Sequence, residues 1–233
     1  MVLGREIVTQ DGRVVPLNSL SPYIKRVAST GTATDISGTW VMENGATDRL
    51  EESQRSWQLT EAGRAALSQY DGVATPASEC VPMSVPNLML YPVVTVIDIA
   101  EDAVNMRIDW MDSRRTIFMD GRAHPDASET FLHGHSVGHW EGEGHRTLVV
   151  ATTNFADHRA GTGYGIPSGA GKRVTEQFEL SDDGARLLYE GTLESPEYLA
   201  EPVHFSFAFN FRPDLHHSER GCDLESARRF TVQ

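Results

Sequence analysis

Between Arg114 and Glu141 the chain gathers residue types that move protons and hold anions. Four of its nine histidines, His124, His133, His135 and His139, fall in these 28 residues, with Arg114, Arg115, Asp120, Arg122 and Glu141 among them. An imidazole titrates near neutrality, so it needs little tuning to act as acid or base. A carboxyl group beside an indole, as in Trp140-Glu141, has its pKa raised when it is desolvated. These types point to general acid–base chemistry without metal. His135 reads as base, with His124 in the same catalytic set. Glu141 or Asp120 reads as acid or His-orienting partner, and Arg115 and Arg122 as stabilisers of an anion or developing enolate. Trp140 reads as a stacking wall, with Ser136, Phe118, Phe207 and Phe209 as further substrate contacts.

Two other readings of the same residues stand beside this one. If the second segment is extended, His133, His135, His139 and Glu141 share a face at spacings of about 7 Å, a pattern that suits a transition metal. Gly134, Gly138 and Gly142 in that run argue for bends that break the shared face. The plainest reading is a solvated row of histidines, with Arg115 and Arg122 pairing with Asp120 to pin a turn. Neither a metal nor a cofactor is called for. The chain has no G-x-S-x-G elbow, H-E-x-x-H pair, Walker loop or Rossmann glycine fingerprint, which removes several reaction classes. Glycine-rich Gly161–Gly165 and Ser168–Gly171 read as a flexible loop, or as a lid over a barrel mouth.

The elements that carry these residues read as strands. Runs of five to ten residues separated by turn signals begin after Leu88, the mark of an antiparallel sandwich or barrel. The expected strands are 93–99, 103–111, 114–120, 135–141, 147–155, 173–180, 185–194 and 204–211, with an earlier one inside 35–42 around Trp40. In 203–211 the odd positions are Val203, Phe205, Phe207, Phe209 and Phe211, one wholly apolar face. The expected fold is mainly β, a lipocalin-like antiparallel barrel or barrel-like sandwich. About eight strands is the size at which the interior either fills or holds one small ligand. Residues 1–34 read as an N-terminal arm with a short helical piece at 21–28, and 35–233 as a single β-rich domain. Thr60 caps the one clear helix, which ends near Tyr70–Gly72. Pro76–Pro86 is too proline-rich for regular structure and reads as an ordered connector.

Composition sets the limits. The 233 residues are 39% hydrophobic and 23% charged, with a formal charge of −13, so a globular domain is expected and nucleic acid is a poor partner. The longest apolar run, about 13 residues from Leu88 to Ala100, is too short for a membrane helix and contains Asp98. The first 20 residues show no secretory signal, so the chain as given reads as cytoplasmic, or periplasmic if a leader has been removed. Cys80 and Cys222 are either two isolated thiols or one bridge closing a long loop.

Arg114-Arg-Thr-Ile-Phe-Met-Asp-Gly-Arg-Ala-His-Pro125, His135-Ser-Val-Gly-His-Trp-Glu-Gly142, Thr147–Val150 and Thr152–Phe155 resemble a large, mostly uncharacterised bacterial family. Its pattern is RR-x-[IY]-x-x-DGR-x-HP followed by GHSxGxWEGD-TLVVDT, and the likeness extends from about Ile36 to Asp223. The resemblance singles out Arg115, Asp120, Arg122, His124, His135, Ser136, Trp140 and Glu141. His133, His139 and His145 fall outside it, which weakens the metal reading. The usual Gly-Asp turn before Thr147 is lengthened here, and Ala151 stands where the family has Asp. The resemblance implies an exported setting and cysteines near both of this chain's positions, but no reaction. The resulting expectation is a cofactor-independent lyase, isomerase or hydratase acting on a small hydrophobic, aromatic or terpenoid-like molecule. The rival is a non-catalytic barrel carrier of an apolar ligand, and a third reading is a metal-dependent enzyme with a His/Glu site. The partner is a small molecule rather than nucleic acid or membrane, with room for a homodimer.

Overall fold

Apolar residues alternating with polar ones bury one face of each strand, and from residue 38 onward that alternation organises the chain. A computed structural model describes residues 2–3, 6–8, 14–16, 29–43, 53–72, 75–219 and 221–229. Near the N-terminus β1 (Val2–Leu3), β2 (Glu6–Val8) and β3 (Val14–Pro16) form a small antiparallel sheet of their own. The arm therefore contains strands that its polar, unpatterned sequence did not announce. The helical piece expected at 21–28 lies outside the described residues.

Nine strands close into a barrel: β4 (Gly38–Met42), β5 (Val94–Ile99), β6 (Ala103–Ile108), β7 (Ser113–Phe118), β8 (His135–Glu141), β9 (Thr147–Thr153), β10 (Arg173–Leu180), β11 (Arg186–Glu194) and β12 (Val203–Phe211). Around the barrel they run β10-β11-β12-β4-β5-β6-β7-β8-β9 and return to β10. The fold is thus the expected lipocalin-like barrel. Every neighbouring pair is antiparallel except β7 and β8, which pair in parallel through Ile117 with Ser136 and Phe118 with Val137.

That exception builds the site. Parallel neighbours cannot be joined by a tight hairpin, so the chain makes a crossover through residues 119–134. The start of β8 then lies beside the end of β7, with the crossover folded over both. Gly134 makes the last bend, with φ +75°, and a Cβ there would come within 2.6 Å of Thr152 and 2.8 Å of the Thr153 carbonyl. Only glycine fits the position without displacing backbone.

The barrel interior is filled by side chains. Trp40, Met42, Ile97, Val104, Met106, Phe178, Tyr189 and Phe209 are all essentially inaccessible and belong to one core. Trp40 donates its indole N–H to the Ile36 carbonyl at 2.9 Å, which satisfies the polar edge of the ring. Phe207 and Phe209, expected to contact substrate, are 7% and 1% exposed in this core. Their inward alternation is as expected, and burial gives both rings a packing role in place of an open contact surface: an aromatic inward face packs as readily as it binds.

Helix α1 (Glu61–Gln69) begins where expected, with the Thr60 hydroxyl accepting from the Gly63 N–H at 3.1 Å. The segment 76–86 is ordered, with a 3-10 turn over Pro76–Glu79. Cys80 and Cys222 form a disulfide, tying the short helix α2 (Leu224–Arg228) back across 142 positions of sequence. Among the described residues no helix is long and apolar enough to cross a membrane.

Candidate functional site

The crossover brings His124 against His135, the first residue of β8. Their Nδ1 atoms are 3.0 Å apart, and the rings meet edge to face with centroids 5.2 Å apart. Burial holds both imidazoles below the ordinary histidine pKa. For His135 the charges of His124 and Arg122 push in the same direction and Glu129 opposes them. Both rings are therefore neutral at pH 7, so one Nδ1 must carry a proton and donate it to the other.

His135 lines a cavity of about 470 Å³ between β7 and residues 125–136. Phe118 stacks on His135 at 5.1 Å between centroids, and Phe131 lies 5.9 Å away on the same ring. Phe131 is a large apolar side chain left 42% exposed. Arg122 lies over the Phe118 ring at 3.8 Å and is clamped by Asp120, whose two carboxylate oxygens accept from its Nε at 2.9 and 3.0 Å. The hydrogen bonds from Arg122 hold the Asp120 carboxyl at about 2, far below any role as an acid near neutrality.

A second polar group lies one layer inward. The Arg115 guanidinium donates to Glu176, to the Ser136 hydroxyl at 3.1 Å and to the Thr152 hydroxyl at 3.0 Å, while the Tyr189 hydroxyl donates to Glu176 at 2.9 Å. The Arg115 and Glu176 side chains are 1% and 0% exposed. Burial disfavours the arginine's charge, and the adjacent Glu176 more than offsets this and holds its pKa up. Burial, with Glu176 next, pushes the Tyr189 hydroxyl well above its usual value.

Several expected partners are separated. Glu141 lies six residues from His135 along β8, about 20 Å at strand rise, and its exposed carboxylate sits 3.8 Å from His139. It cannot serve His135 as acid or orienting group. Trp140 packs against His145 with centroids 4.6 Å apart and does not line the cavity. Arg115 is enclosed by its partners, so its charge answers Glu176 and not an incoming anion. The Ser136 hydroxyl turns inward to Arg115 and Thr152. Asp120 and Arg122 pin a turn together, while Arg115 pairs with Glu176. His133 precedes the Gly134 bend and leaves the row of His135 and His139. Among the described residues no group of three His, Cys, Asp or Glu side chains converges as a metal site.

No family model matches this chain, and no match is found among curated proteins. The site therefore rests on its own geometry.

Sequence reasoning gave Arg114 no role of its own and missed Phe131 and Glu129 on the cavity wall and Glu176 behind it. A signal for the last existed: residues 172, 174, 176, 178 and 180 share the inward phase of β10, and Lys172 and Glu176 break its apolar pattern. Lys172 is fully buried, with its ammonium 4.0 Å over the Phe155 ring and donating to Ser84 at 3.1 Å. Burial lowers its pKa well below the lysine value. His133 is pushed down to about 4, by burial first and then by the positive charges of Arg115, His158 and Lys172.

Proposed function

We propose that this protein is a cofactor-independent acid–base enzyme, a lyase, isomerase or hydratase, and that His135 is its proton-transferring residue. The observation that carries this reading is the 3.0 Å contact between the Nδ1 atoms of His124 and His135 beside an aromatic-walled cavity. When His135 holds the shared proton on Nδ1, its Nε2 is a bare lone pair and acts as a base. As Nε2 takes a proton from a substrate carbon, the Nδ1 proton passes to His124 Nδ1, and His124 releases its own Nε2 proton to water. The pair is then in its other tautomer, with His135 Nε2–H an acid able to protonate the product carbon or a leaving oxygen. The relay needs no full charge on either buried ring before reaction. Arg122, fixed by Asp120, is the group suited to an oxyanion formed by the first step. In this reading the chain also belongs to the bacterial family whose motifs it resembles, since His124, His135, Asp120 and Arg122 all lie on that pattern.

The carrier reading loses ground because the barrel interior is packed, and the cavity lies outside it against a pair of titratable rings. Phenylpyruvate in D2O supplies an enolisable methylene and a readout by proton NMR. The protein is expected to accelerate exchange at that methylene, and His135→Gln to abolish the acceleration with little change in melting temperature. Binding without exchange would favour the carrier and defeat the proposal.

A further inference from the structure

The charges around the same cavity differ from those of the molecule. The chain carries 33 acidic and 20 basic residues, yet three arginines, Arg114, Arg115 and Arg122, line the cavity against one carboxylate, Glu129. The partners that neutralise them, Asp112, Glu176 and Asp120, are not on its wall. Arg115 has its guanidinium enclosed. Arg122 uses Nε and Nη2 on Asp120, and Arg114 uses Nη2 on Asp112 at 3.2 Å. Among the described residues, Nη1 of neither arginine takes part in these clamps. A guanidinium whose geometry is already fixed by a carboxylate behind it loses little freedom on accepting an anion in front. Beside them Phe118, His135 and Phe131 form a row of rings, and Phe131 has an open face.

We infer that the cavity takes a planar aromatic molecule bearing one negative charge, its ring against Phe131 and its anionic group at Arg122, with Arg114 adding positive charge farther along the wall. This deepens, and rests on, the reading of the cavity as the reactive site. The ring wall supplies contact area that is indifferent to charge, whereas the two arginines set the sign of the ligand. The surrounding negative field disfavours the approach of anions in general, so selection falls to groups that reach the arginines directly.

Calorimetric titration of the whole chain with 2-naphthoate, 2-acetylnaphthalene and 2-naphthylmethylammonium separates these contributions. The carboxylate is expected to bind at least about tenfold tighter than the neutral ketone, with the ammonium weakest. Arg122→Gln should reduce that preference to about threefold or less, with Arg114→Gln giving a smaller loss, and Phe131→Ala should weaken all three probes alike. A flat or reversed order, no binding of any probe, or a preference that survives both arginine substitutions would overturn the inference. Anion selectivity without deuterium exchange on phenylpyruvate would defeat the acid–base proposal and leave the ligand class standing. Exchange without selectivity would do the opposite.

Discussion

Two polar assemblies lie one layer apart in this barrel, and they differ in completeness. Inside, Arg115, Glu176, Tyr189, Ser136 and Thr152 satisfy one another, with both charges sealed from water. At the rim, His124 and His135 share one contact and keep their outer nitrogens, while Arg122 is fixed on one edge only. A finished network has nothing left to offer a ligand, so it serves the fold. An unfinished one beside a cavity keeps groups free for a ligand. Both are rich in the residue types that mark active sites, and only their partners tell them apart.

The largest effect expected from this contrast is on stability. Glu176→Gln leaves Arg115 charged and unpaired in the interior and should cost about 3–5 kcal/mol in urea unfolding. An unchanged midpoint would mean that the inner cluster is not structural. Next is the pH response of His133. Its folded pKa, about 4, lies below the unfolded value of about 6.5, so the unfolded chain binds the extra proton between those values. Stability is then full above about pH 6.5 and falls as the pH drops toward 4, by on the order of 3 kcal/mol. His133→Asn should flatten that slope in melting curves taken across the range.

Smaller effects belong to the rim. In the proposed mechanism His124→Ala removes the relay but not the base, and it should slow deuterium exchange by about 10–100-fold while binding of 2-naphthoate holds. Equal losses in rate and binding would make His124 part of the pocket wall instead. Because both rings sit below the ordinary histidine pKa, the acid limb of the exchange profile is expected below pH 6.5. Asp120→Asn, at an exposed turn, should leave the melting temperature unchanged and weaken only the anion preference, since it frees Arg122 from its clamp. A clear drop in melting temperature would move that pair to the structural side of the comparison.

Legibility followed the range of the forces involved. Strands 135–141 and 173–180 have the bounds that alternation gave, and Thr60 caps its helix, because pleat and cap are settled by neighbours in sequence. His135 and His124 are reactive types by their own chemistry. Their union was not readable, because it depends on β8 lying parallel to β7, a pairing that no local pattern encodes. The same strand separated His135 from Glu141, which shared a face and a motif but stand about 20 Å apart.

The amino-acid order alone thus determined the barrel's strands, their inward faces and the residue types capable of proton transfer. Tertiary structure decided which of those residues meet, which cysteines join, and which arginine is enclosed and which is open. The physical reason is that period and propensity act over a few residues, whereas burial and partnership arise only when distant strands close on one another.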